Sequence, residues 1–248
     1  MPFGAHSSSC VISQESKRRR VHNGAKSMDS EAQYEAERRR MVKEQIAGRG
    51  IHDQRILDAM QAVPRHLFVP PNYRHQAYSD GPLSIGGGQT ISQPYIVALM
   101  TLLLNLKGDE KVLEVGTGSG YQAAILAHLA RDVYTIERDP YLADRAWKVL
   151  SDLGLKNVYL HVGDGSKGFE SKAPYQAILV TAAAPSVPQT LLDQLDDCGR
   201  LVIPVGGRAG QYLEKWQRSG SKLEQDVLVP VAFVPLRGEY GWEKDWEE

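Results

Sequence analysis

Residues Val112-Leu113-Glu114-Val115-Gly116-Thr117-Gly118-Ser119-Gly120 decide the fold. An apolar strand carrying one acidic residue runs into three glycines at alternate positions, and a helix-forming run, Tyr121 to Ala130, follows at once. That order predicts a strand, a tight turn and a helix N-terminus, where main chain free of side chains can approach a nucleotide-like ligand. The glycine spacing is G-x-G-x-G. A dinucleotide fingerprint, G-x-G-x-x-G, would need its third glycine where Tyr121 stands. The turn therefore points to S-adenosylmethionine rather than NAD.

Downstream of this turn the pattern alternates. Strands are predicted over 111–115, 133–137, 158–162, 175–181 and 200–205, with helices over 120–130, 140–153 and 187–195. Strands spaced by helices imply an α/β fold of the Rossmann-like kind, a mostly parallel, doubly wound sheet with right-handed crossovers. After Pro204 two strands, 212–218 and 226–236, flank the turn Ser219-Gly220-Ser221 and predict an antiparallel C-terminal edge.

Upstream lies an N-terminal helical extension. Glu31 to Ala47 reads as a helix ended by Gly48 and Gly50, and Asp53 caps a second with Ile56, Leu57, Met60 and Val63 on one face. Ile85 to Gln93 reads as a glycine-rich loop. Pro94 opens a third helix whose Ile96, Val97, Leu99, Met100, Leu103 and Leu104 form a broad buried face. The chain thus divides into a Ser-rich basic tail (1–30) expected to be disordered, a helical and substrate-loop region (31–108) and a core with C-terminal strands (109–248), with 31–248 forming one structural domain. Lys17-Arg18-Arg19-Arg20 is read as part of a solvated tail, dispensable up to Met28.

Bulk properties exclude several classes. The 248 residues carry a formal net charge of -1 with 24% charged residues, which leaves no global basic footprint for nucleic acid. The apolar run Ala98 to Leu104 is too short to span a bilayer. Two distant cysteines, Cys10 and Cys198, fit neither a disulfide framework nor a zinc site and suit a reducing compartment. His66, His75 and His161 lack metal-ligand spacing, so no metal is expected. Trp216, Trp242 and Trp246 are read as packing or surface aromatics.

In a doubly wound sheet ligands bind at the carboxyl ends of the strands. Three acidic residues fall there: Glu114 on the first core strand, Glu137 ending the second, and Asp164 after the third, in Gly163-Asp164-Gly165. A carboxylate at the second position can accept both hydroxyl protons of a ribose diol. Asp164 can accept from an exocyclic amine such as that of adenine. With Gly116, Gly118, Gly120 and Gly165 giving room for the remainder, these residues form the expected S-adenosylmethionine site. Val205-Gly206-Gly207 offers small residues past which an extended peptide could run close.

Other motifs lie outside this common element: Arg65-His66-Leu67-Phe68-Val69-Pro70, Ala77-Tyr78-Ser79-Asp80-Gly81-Pro82-Leu83, Gly88-Gln89-Thr90-Ile91-Ser92-Gln93-Pro94, Thr181-Ala182-Ala183-Ala184 and Phe233-Val234-Pro235-Leu236. Through them, over roughly residues 40 to 237, the chain resembles the protein-L-isoaspartate (D-aspartate) O-methyltransferases, most nearly the bacterial type. It departs modestly, with Ser84-Ile85 where that family often has a proline, and with the added tail. The resemblance implies a class I S-adenosylmethionine-dependent methyltransferase. Its expected reaction is methyl transfer to the α-carboxylate of L-isoaspartyl residues in damaged proteins, followed by collapse of the ester to a succinimide. It also implies Ser92 as the active-site residue, within a substrate-binding set of Gln89, Thr90, Ile91, Ser92, Val205 and Gly206. A helix-capping serine is the other reading of Ser92. Asp80 is expected to hold the Ser92 loop by hydrogen bonds.

The expected partners are isoaspartyl proteins or peptides, not nucleic acid or membrane, and the expected state is a cytoplasmic monomer. The alternative is a methyltransferase acting on a nucleic acid or a small molecule. Against it, Pro70-Pro71-Asn72-Tyr73 is a permuted form of the adenine-methylating motif and lies on the wrong side of the glycine turn, and neither cysteine follows a proline.

Overall fold

The computed structural model describes residues 31–243. The tail, with its basic cluster, Cys10 and Met28, and the C-terminal Trp246 lie outside the described residues.

Helix α1 (31–40) continues into a wider π-helical turn, Met41–Ile46, and a 3-10 turn, Ala47–Arg49. It stops at Gly50, whose φ of 93° is left-handed, as a helix C-terminus favours. Helix α2 (Gln54–Ala62) starts where expected: the Asp53 carboxylate accepts from the Arg55 N–H at 3.0 Å. Its Ile56, Ala59 and Met60 are buried. A large apolar side chain buried in this way contributes about 1.5–3 kcal/mol through the surface it removes from water.

The glycine-rich stretch is not the loop the sequence predicts. It forms a two-stranded hairpin, β1 (Leu83–Gly86) and β2 (Gln89–Ile91), turning at Gly86-Gly87-Gly88 with φ positive at all three. Leu83, Ile85 and Ile91 are buried, and this inward alternation holds the short strands in place. The hairpin delivers the chain into helix α3 (Pro94–Leu104). This helix turns a narrower face inward than its sequence suggests: Val97, Ala98, Met100, Thr101 and Leu104 are buried, while Ile96, Leu99 and Leu103 are only partly so.

The core follows as β3 (Lys111–Val115), α4 (Tyr121–Ala127), β4 (Asp132–Glu137), α5 (Pro140–Asp152), β5 (Val158–Val162), β6 (Tyr175–Val180), α6 (Gln189–Asp193), β7 (Leu195–Gly207), β8 (Gly210–Ser219) and β9 (Lys222–Val231). The seven strands lie in the order β5-β4-β3-β6-β7-β8-β9. In that order the first five pair in parallel, and β7, β8 and β9 pair antiparallel. The expected architecture is thus present. Its boundaries differ: α6 and α4 are shorter than predicted, β7 is longer, and β9 begins and ends earlier.

The order reverses at β3, with β4 leading away on one side and β6 on the other. This switch point opens a crevice above the strand ends. One cluster of buried residues joins the N-terminal helices (Met41, Ile46, Met60, Ala98) to the core (Val112, Tyr121, Val133). The opposite face of the sheet packs Leu113, Val115, Ile136 and Ile178 against Leu191, Leu192 and Leu236. Beyond β9 the chain leaves the sheet and lies along the segment after β6, with the Leu236 N–H donating to the Ala183 carbonyl at 2.8 Å.

Candidate active site

The crevice holds a cavity that opens to solvent, with about 870 Å³ of empty space including the open mouth. Residues Gly116 to Ser119, Glu137 and Gly165 form one wall, and Gln89, Thr90, Ile91 and Ser92 form another. Two segments far apart in the sequence, the glycine turn and the Ser92 loop, therefore meet in one cavity.

Gly116 has φ of 97°, and a Cβ there would stand 2.5 Å from Thr181 Oγ1. No other residue fits. The Thr181 hydroxyl donates to the Gly116 carbonyl at 2.6 Å and fixes the turn from the β6 side. Glu137 ends β4 and is 7% exposed. Its Oε2 accepts from the Gly118 N–H at 2.8 Å and its Oε1 from the Asp139 N–H at 3.0 Å. Each oxygen keeps a free lone pair, so the carboxylate is held rigid with acceptor capacity left for a diol. Gly165 lines the cavity through its main chain, since a Cβ there would meet Val115 Cγ1 at 2.6 Å. Glycines that a Cβ would obstruct, beside a fixed carboxylate, fit the adenosyl and methionine parts of S-adenosylmethionine.

Five positions assigned from the sequence do other work. Glu114 does not reach the cavity. It is fully buried below the turn, with Oε2 accepting from Thr135 Oγ1 at 2.5 Å and Oε1 without a partner. Burial pushes its pKa up to about 8, and the charge of Glu137 adds to this, against the Thr135 hydrogen bond. Thr135 in turn shares a 2.6 Å hydrogen bond with Thr117, which does line the cavity. Gly120, with φ of 88°, packs α4 on α5 instead of lining the cavity; a Cβ would stand 3.2 Å from Ala146 Cβ.

Asp164 is turned to the C-terminal segment. Its Oδ1 accepts from Ser166 N and Oγ at 3.0 and 2.7 Å, and its Oδ2 from Glu239 N at 2.8 Å. Burial alone would raise its pKa, but these hydrogen bonds and Lys167 outweigh it and hold the carboxyl below its usual value. Asp164 thus anchors residues 238–240, and its Oδ2, accepting one hydrogen bond, keeps a free lone pair. Val205 and Gly206 sit in the β7–β8 hairpin, paired with Tyr212 and Gln211. A Cβ at Gly206 would meet the Gly210 carbonyl at 2.3 Å, so strand pairing itself requires the glycine. Position along a strand tells where a residue lies, not which neighbour takes its polar atoms.

Ser92 is half-buried on the cavity wall. It is not the N-cap of α3. Gln93 holds that position, and no side chain caps the helix. Among the described residues the Ser92 hydroxyl has no hydrogen-bond partner, while the Ser92 carbonyl accepts from Arg65 Nη2 at 2.7 Å. Asp80 does hold this loop: its Oδ1 accepts from Gln93 Nε2 at 2.7 Å. The free amides at the start of α3 give the wall a positive end beside a free hydroxyl, which suits an anion.

The sequence by itself assigns no site role to Thr117, Gln122, Thr181 or the segment Val234 to Arg237, all of which line the cavity. Thr181 and Val234 stand in motifs that are visible in the sequence, but a motif carries no placement. Trp242 closes the C-terminal segment onto the site by donating from Nε1 to the Ala183 carbonyl at 3.0 Å.

The family model for protein-L-isoaspartate(D-aspartate) O-methyltransferase matches residues 36–241. A protein-L-isoaspartate O-methyltransferase of Methanoregula boonei is 58% identical over 207 residues, covering 84% of this chain and 95% of that protein. Another, of Syntrophobacter fumaroxidans, is 55% identical over 210 residues, covering 85% and 98%. Among solved structures, a protein-L-isoaspartate O-methyltransferase superimposes with a TM-score of 0.73 at 27% identity, over 82% of this chain and 67% of that one. A Plasmodium falciparum chain described as such an enzyme, in complex with S-adenosyl-L-homocysteine, gives 0.71 at 25% identity, over 81% and 98%.

Proposed function

We propose, for a chain that belongs to the protein-L-isoaspartate(D-aspartate) O-methyltransferase family, that Ser92 presents the substrate carboxylate to the methyl donor. The reaction itself is S-adenosylmethionine-dependent methyl transfer to isoaspartyl residues of proteins.

The observation that carries the proposal is the Ser92 hydroxyl, half-buried, without a partner among the described residues, in the same cavity as the glycine turn. The acceptor is a carboxylate, already ionised at neutral pH, so no general base is required. The task is to hold it in line and exclude water. Ser92 donates one hydrogen bond to the carboxylate, and the start of α3 supplies positive potential without forming an ion pair that would reduce nucleophilicity. Gln89, Thr90 and Ile91 complete that wall. On the opposite wall Glu137 takes the ribose hydroxyls, and Gly116, Gly118 and Gly165 accommodate the rest of the cofactor, which supplies an electrophilic methyl group. The methyl ester is then attacked at its carbonyl by the following main-chain nitrogen, losing methanol and leaving a succinimide that water opens.

All these groups come from one chain, so a monomer suffices for the reaction. Among the described residues no helix is long and apolar enough to cross a membrane. A reducing, cytoplasmic setting suits the two distant cysteines.

Ser92→Ala is expected to lower kcat on an isoaspartyl peptide about 10- to 100-fold, the effect of one hydrogen bond to a charged group. The affinity for S-adenosylhomocysteine should stay within about twofold of wild type, since that molecule sits on the other wall. Radiolabelled methyl transfer to an isoaspartyl peptide and to its normal aspartyl twin measures this, with base-labile label appearing on the first alone. Unchanged turnover in the variant would remove Ser92 from the mechanism. Label on nucleic acid instead would point to the other substrate class.

A further inference from the structure

Arg65, on the 3-10 turn Arg65–Phe68, is 0% exposed and takes no part in the mechanism above. Its Nε donates to the Ala77 carbonyl and its Nη2 to the Ser92 carbonyl, both at 2.7 Å. Its guanidinium carbon lies 4.9 Å from the ring centroid of Tyr121, a residue of the cavity wall. Nη1 has no partner, and among the described residues no carboxylate pairs with the group. Burial lowers its pKa to about 10, which leaves it charged at neutral pH. A buried cation without a counter-charge is costly to keep. Here it stands directly behind the residue that is to meet an anion.

We propose that Arg65 is a positioning residue for methyl transfer: it clamps the Ser92 main chain so that the hydroxyl faces the glycine turn, and its uncompensated charge favours an anionic acceptor at that wall. This rests on the reading of Ser92 given above. Only arginine does both. Its planar fork reaches two carbonyls on separate segments at once, whereas a lysine is a point charge on a flexible stem and can hold one. The low dielectric of the surroundings leaves the charge weakly screened at the neighbouring wall.

The test separates clamp from charge. Arg65→Lys keeps the charge and loses one carbonyl. It should lower kcat about tenfold with KM for an isoaspartyl peptide changed less than about threefold. Arg65→Met loses both, so KM should also rise about tenfold or more. In each, Kd for S-adenosylhomocysteine, which binds the opposite wall, should stay within about twofold. The double variant Arg65→Lys/Ser92→Ala should be no slower than Ser92→Ala alone, because the two act as a unit. A purely structural role would lower thermal stability and both affinities together, with no split between kcat and KM, and that outcome overturns the proposal. So does wild-type turnover in Arg65→Lys. Should Arg65→Met fail to fold, Arg65→Lys and the double variant still decide. If Ser92→Ala turns over at the wild-type rate while Arg65→Lys loses activity, the Ser92 reading fails, and Arg65 does not act through that hydroxyl.

Discussion

Glu137→Gln is expected to weaken S-adenosylhomocysteine binding about 100-fold or more. The carboxylate now receives two main-chain N–H groups, Gly118 on one oxygen and Asp139 on the other. An amide has a single acceptor oxygen. Whichever way the substituted side chain turned, its NH2 would face one of those N–H groups, donor against donor, in a site 7% exposed. The glycine turn would lose its anchor on that side, and the ribose diol would lose one of two acceptor atoms. Hydrogen bonds to a charged acceptor are worth about 1.5–3 kcal/mol each, and leaving a buried donor unpaired costs about as much again. Isothermal titration measures the loss. Turnover at saturating cofactor should fall far less, since the group touches no reacting atom. A Kd within about threefold of wild type would remove Glu137 from the cofactor site.

The other glutamate should behave in the opposite way. Glu114→Gln is expected to abolish a pH dependence of stability. The folded-state pKa is raised from 4.5 to about 8, so the folded protein binds the proton more tightly than the unfolded chain. Stability from this group is therefore fully present below pH 4.5 and is lost as pH rises towards about 8, at about 1.4 kcal/mol for each pH unit between. Glutamine is permanently neutral and lacks that slope. Like the protonated acid, whose O–H sits on the unpartnered Oε1, its amide leaves a donor without an acceptor, so the two proteins start alike at low pH. Melting temperatures of the two proteins from about pH 5 to 9 should start close together and then separate, the wild type falling relative to the variant as pH rises. Parallel curves would show that Glu114 is ionised throughout and that the buried-acid reading is wrong.

These two residues also show how far the sequence is legible. Both are acidic, both sit near the carboxyl end of a core strand, and the sequence treats them alike. Glu137 is the last residue of β4, where the chain turns and the carboxylate can reach over the crevice. Glu114 lies one residue short of the end of β3, so its side chain is still committed to a face of the sheet, with Val112 and beside Thr135. Alternation along β3 carries this signal, since Val112 and Glu114 share a face. The hairpin over residues 83–91 is hidden because three consecutive glycines mask strand propensity, and inward packing of Leu83, Ile85 and Ile91 outweighs it. The partners of Asp164 and Val205-Gly206, Glu239 and the β8 strand, are hidden because they come from later in the chain.

The sequence by itself determined the parallel core, the antiparallel edge, the glycine turn and the helix start at Asp53. Each rests on local period, capping chemistry or a φ that only glycine readily adopts, all of which are written within a few neighbouring residues. The tertiary structure alone decided which carboxylate is buried below the turn and which lines the cavity. It also decided that the chain after β9 walls the cavity, and that a buried arginine stands behind Ser92. Those outcomes depend on burial and on hydrogen-bond partners from distant segments, and no short stretch of chain records what will desolvate it.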